Sequence, residues 1–74
     1  MPRLARDLTG VEPVNRYGNI TGPPTRLLRG SEFQISIAKL KRPEDSFDEY
    51  WCEIQVEGQL YRVALRSLDG AKAA

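Results

Sequence analysis

The sequence predicts a small, mainly β domain: an antiparallel sheet or an SH3-like partly closed barrel of about four strands, preceded by an irregular N-terminal arm. Three observations predict it. Residues 32–40, 49–57 and 59–67 alternate apolar and polar side chains with the period of two that a pleated strand imposes. Gly58 sits between the last two runs, where a tight hairpin needs a left-handed residue. Residues 10–24 hold three Gly and three Pro, too many for a helix or a regular strand.

Length and composition set the outer limits. At 74 residues the chain forms one domain, and such a domain buries only about 60% of its unfolded surface. The sequence has no His and a single Cys. Disulfide frameworks, Cys/His zinc sites and His-based acid–base catalysis are therefore excluded within one chain. The net charge of +1 exerts no global pull on nucleic acid or membrane. No apolar run approaches the roughly 20 residues that span a bilayer, and the N-terminus lacks the apolar stretch of a secretory leader. A cytoplasmic protein with no membrane partner is the expectation, and the unpaired Cys52 fits a reducing compartment.

Taken in order, residues 1–24 form the arm and residues 25–74 the β domain. Within the arm, residues 2–9 suit either a short helix or a frayed tail: Pro2 fits a first helical position, Leu4 and Leu8 are four apart, and Gly10 would end the helix. A first strand is expected at 25–29 and a turn at Gly30-Ser31. In the second strand, at 32–40, Phe33, Ile35 and Ile37 share one face. Pro43 stops that run because it cannot donate to a ladder, and 43–49 is a polar loop.

The hairpin gives the sharpest inference. A two-residue loop at Glu57-Gly58 places Ile54 opposite Tyr61, Cys52 opposite Val63 and Tyr50 opposite Leu65. It also pairs Glu53 with Arg62 and Glu49 with Arg66 on the other, exposed face. Moving the loop by one residue breaks the charge pairing, and a three-residue loop puts the two apolar sets on opposite faces. After Ser67 the Ala-rich end suits a short helical turn capped by Ser67 or Asp69. The expected core is Leu27, Phe33, Ile35, Ile37, Tyr50, Cys52, Ile54, Val56, Tyr61, Val63 and Leu65.

No catalytic residue, metal ligand set or cofactor motif emerges. Cys52 lies on the apolar face and has no His to activate it, so it reads as a buried structural thiol. The carboxylates of 44–49 lack the apolar surroundings that raise a carboxyl pKa and the spacing and Gly of a calcium loop. No Gly-rich phosphate cradle is present.

Two surfaces remain as candidates. From Glu44 to Glu57 there are six acids and no base, interleaved with Phe47, Tyr50 and Trp51. Alternation puts Trp51 with Glu53 and Gln55, away from the core set. Asp48, Glu49, Trp51 and Glu53 are therefore the candidate protein-binding residues, facing a partner with a basic surface. The rival is nucleic-acid binding by Arg26, Arg29, Lys39, Lys41 and Arg42, drawn from the arginine-rich first thirty residues and the basic end of a strand.

From Phe33 to Asp69 the succession of a strand ending near Pro43, a polar gap, the aromatic-rich YWCEI, a hairpin through Gly58 and then SLDG resembles short bacterial β-rich domains of unknown function. In those domains the Ser-Leu-Asp opens a longer C-terminal helix, and the resemblance implies no activity. The functional expectation is a non-enzymatic protein-binding module, an adaptor or an inhibitor of the phage or mobile-element type. It would act as a monomer or as a homodimer joined through an edge strand.

Overall fold

The computed structural model describes residues 2–40 and 50–71. They form one mainly β unit: β1 (Leu8–Val14), β2 (Thr25–Leu27), β3 (Gln34–Leu40), β4 (Trp51–Val56) and β5 (Gln59–Ala64), followed by a helix, α1 (Leu65–Ala71). The five strands make one antiparallel sheet in the order β2-β1-β5-β4-β3, which remains open rather than closing into a barrel. No helix among the described residues is long and apolar enough to cross a membrane.

The β4–β5 hairpin has the expected register. Ile54 faces Tyr61, Cys52 faces Val63 and Glu53 faces Arg62 across a loop of Glu57 and Gly58. Both loop residues have positive φ, 51° and 81°, the backbone of the turn that matches the right-handed twist of the two strands. The Leu65 N–H donates to the Tyr50 carbonyl at 3.0 Å, extending the pairing one step beyond the strands. There β5 gives way to α1 instead of running on to residue 67.

The arm is corrected. Residues 2–9 do not form a helix, and β1 is paired on both sides, with β2 and with β5. Its Gly and Pro are accommodated individually. Gly10, at φ 68°, lies where the β1–β2 register shifts, between Leu8 and Val11; this bulge lets two residues three apart reach the same core. Pro13 has no N–H to offer, yet its carbonyl accepts from the Thr21 N–H at 2.9 Å, on the side facing away from β5. Since N–H and C=O of one strand residue point the same way, the missing donor falls beyond the end of β2 and removes no ladder bond.

One face of the sheet carries the core. Val11 of β1, Leu27 of β2, Cys52, Ile54 and Val56 of β4, and Val63 of β5 are buried with Leu4, Leu8, Phe33 and Leu68 of α1, and Tyr61 and Leu65 pack against them. The Cys52 thiol is buried and donates to the Val63 carbonyl at 3.6 Å. Leu4 is held by backbone bonds to Gly30 and Ser31, and Pro2 accepts from the Phe33 N–H.

Ile35 and Ile37 are a second correction: they are 46% and 39% exposed, whereas Phe33 is 1% exposed. β3 is an edge strand, and its register against β4 shifts twice, between Ile35 and Ile37 and again before Leu40. Ile35 faces Ile54 while Ile37 faces Glu53, so the alternation that would have put both on the core face is broken.

Candidate functional site

The face of the sheet opposite the core is closed by charge and by a turn. Glu12, Arg62 and Glu53 lie in one row across β1, β5 and β4. The Arg62 Nη2 stands 3.3 Å from the Glu53 Oε2, and the two side chains are only 12% and 6% exposed. The same Nη2 donates at 2.7 Å to the carbonyl of Gly18, in the turn that follows β1. A Cβ on Gly18 would stand 3.2 Å from that nitrogen, so the absence of a side chain at Gly18 gives the guanidinium its close approach. The Arg62 Nε is buried with no hydrogen-bond partner among the described residues.

The turn is organised by Asn15, whose side-chain oxygen accepts from the backbone N–H groups of Tyr17 and Asn19, at 2.9 and 3.1 Å. Val14 and Ile20 pair across it. Val14 is buried but stands apart from the main core cluster, as its outward place in β1 requires. Tyr17 projects from the turn, with the Arg16 guanidinium 5.0 Å from its ring centre.

Among the candidate protein-binding residues, Trp51 is half-buried and lies outside the core cluster. It lines a cleft of about 190 Å³ whose other walls include Thr9, Gly10, Ala64 and Ser67. Ala64 is the residue directly opposite Trp51 in the hairpin, and the single methyl of Ala64 and the absence of a side chain at Gly10 leave the space beside the indole. Glu53 is corrected from an exposed to a buried position: the turn and Arg62 cover it, so its carboxylate is not on the surface beside Trp51. Asp48 and Glu49 lie outside the described residues, as does the expected Glu49–Arg66 pair.

The rival basic set is not gathered in one place. Arg26 is exposed on β2 and Arg29 just beyond it, where its backbone N–H donates to the Asp7 Oδ1 at 2.7 Å. Lys39 belongs to β3, the opposite edge strand, and Lys41 and Arg42 lie outside the described residues. Among the described residues no group of three or more His, Cys, Asp or Glu side chains could hold a metal ion.

Sequence reasoning missed the turn at residues 15–19 as a structural cover and the small-residue floor beside Trp51. The signals were Asn15 two residues before Tyr17, an Asx-turn spacing, and Ala64 opposite Trp51 in the favoured hairpin register. No protein-family model matches this chain, and no curated protein or solved structure matches it.

Proposed function

We propose that the chain is a non-enzymatic protein-binding module anchored by Trp51. The observation that carries this reading is the cleft beside the indole: a large aromatic side chain on the outer face of the sheet, outside the core cluster and next to two small residues. Aromatic anchors with accessible space beside them are the residues that dominate protein interfaces. A sequence without His, with its one thiol buried, suits an adaptor or inhibitor rather than a catalyst.

The test is affinity capture by the whole chain, mass-spectrometric identification of the partner, and calorimetry with that partner purified. Trp51→Ala is expected to weaken the complex by at least about 30-fold, corresponding to roughly 2 kcal/mol for an aromatic anchor, with circular dichroism unchanged. Undiminished affinity in a folded Trp51→Ala variant rejects this site. Nucleic-acid binding through Arg26 and Arg29 is the competing reading; it requires retention of oligonucleotides that falls steeply between low and moderate salt.

A further inference from the structure

A groove beside the 15–19 turn holds two side-chain amides that are fixed in opposite senses. It encloses about 700 Å³, and its walls include Asn15, Arg16, Tyr17 and Gln59. The Gln59 Nε2 donates to the Val14 carbonyl at 3.0 Å and to the Leu60 carbonyl at 2.9 Å. Only the NH2 end of an amide can do this, so Oε1 is left as an acceptor without a partner among the described residues. Asn15 is the converse. Its Oδ1 accepts the Tyr17 and Asn19 N–H groups, and its Nδ2 is left as a donor without a partner among the described residues. Val14, whose carbonyl Gln59 holds, immediately precedes Asn15, so the two amides are neighbours on the wall. Both free atoms reach solvent, since neither is a buried atom lacking a partner. Tyr17 adds an aromatic surface that is 73% exposed even with the Arg16 guanidinium 5.0 Å from its ring centre. Arg16 donates to the Tyr17 hydroxyl at 2.9 Å and makes no ion pair among the described residues. It is the one charged side chain among the groove's described walls; Glu57, next to Gly58 in the hairpin loop, is not a wall.

We infer that this groove binds a nucleobase with its phosphate: the base stacks on Tyr17, its edge meets the Asn15 donor and the Gln59 acceptor, and the phosphate takes Arg16. A base is flat and carries a donor beside an acceptor on its pairing edge. Unpaired bases are held in this way, by stacking on an aromatic side chain and by hydrogen bonds to that edge. The guanidinium matches a phosphate, with which it forms charge-assisted hydrogen bonds. An extended peptide also presents N–H and C=O groups to the two amides, but it leaves the aromatic face and the cation unused. The site is separate from the cleft at Trp51, with which it shares no wall residue, and from Arg26 and Arg29, neither of which lines it.

The intact, isotope-labelled protein is titrated with uridine monophosphate, uridine, oligouridylate and a blocked Ala-Asn-Ala peptide, following amide shifts by NMR. The monophosphate is expected to shift the Asn15 side-chain NH2 and the backbone amides of 16–19 saturably, leaving the Trp51 indole N–H unmoved. Tyr17→Leu removes an exposed ring, so the β4–β5 amide shifts should persist while binding weakens by at least about five-fold, the low end of a base-stacking contact. Asn15→Asp keeps the oxygen that accepts the two turn bonds and loses the donor; uridine should bind about two- to ten-fold more weakly, the range of one hydrogen bond. Arg16→Gln should weaken the monophosphate and leave uridine unchanged, which separates the phosphate contact from stacking. Equal affinity for monophosphate and oligouridylate assigns a free nucleotide, and tighter, steeply salt-dependent binding of oligouridylate assigns a single strand; either result supports the inference. Preferential binding of the peptide overturns it, as does unchanged affinity in Tyr17→Leu or the absence of shifts at 15–19.

Discussion

The two faces of this sheet are buried by different physics. On the core face, side chains from four strands, the N-terminal segment and α1 meet as an apolar cluster, and burial there is driven by removing hydrocarbon from water. On the outer face, a turn is held down over a row of charged residues, with Arg62 reaching from β5 to the Gly18 carbonyl. The first arrangement tolerates any well-packed apolar set. The second depends on individual partners, since a buried charge left alone is expensive. A domain of this size therefore gains a second covered surface without a second apolar core.

Substitutions can break that contrast at either end. The largest effect is expected from Phe33→Ala, which removes a fully buried ring from the core: about 3–5 kcal/mol, much of the stability of a small domain, measured by urea unfolding. Arg62→Met should be almost as damaging, about 3 kcal/mol, because Glu53 stays buried without its cation. The outer-face account is then sharpened by adding Glu53→Leu: the double variant should recover most of the loss, because an apolar pair of similar volume replaces a buried ion pair at little cost. Its Gly18 carbonyl still lacks a donor, so amide hydrogen exchange across residues 15–20 should remain faster than in the parent chain. A double variant no more stable than Arg62→Met alone would show that the turn contact, and not the charge pair, dominates. The smallest effect is expected at the edge. Ile35→Thr should change stability by no more than about 0.5 kcal/mol; a loss comparable with a core substitution would contradict its exposure.

Much of the fold was legible where local rules act without interruption. In β4 and β5, period-two alternation, complementary charge and a turn glycine all select one register, and the structure has that register. The same rules fail in β1 and β3 because bulges reset the alternation. Leu8 and Val11 are three apart yet both reach the core, which an unbroken period-two strand forbids; the shift near Gly10 makes that spacing compatible with a strand, and Val14, three further on, falls on the other face. In β3 the shift between Ile35 and Ile37 turns an apparently regular apolar face into one with both residues half in solvent. Bulges of this kind also bend an edge strand away from flat pairing with another chain.

At the candidate site the division is similar. That Trp51 leaves the core set follows from alternation with Cys52, Ile54 and Val56. That Glu53 on the same side of the strand is covered does not follow, since the cover comes from a turn more than thirty residues earlier. The cleft beside Trp51 was likewise hidden, because its other walls, among them Thr9, Gly10 and Ser67, come from the two ends of the chain.

By itself, the order of residues determined the class of fold, the hairpin about Gly58, the buried thiol and the outward turn of the indole. Each depends on neighbours a few positions away or directly across a two-residue loop, where backbone geometry leaves few choices. Tertiary packing alone decided that β1 enters the sheet, that a turn covers Glu53, and which residues wall the cleft beside Trp51. Those outcomes depend on contacts between distant segments, and in β1 and β3 one extra residue at a bulge changes which side chains meet the core.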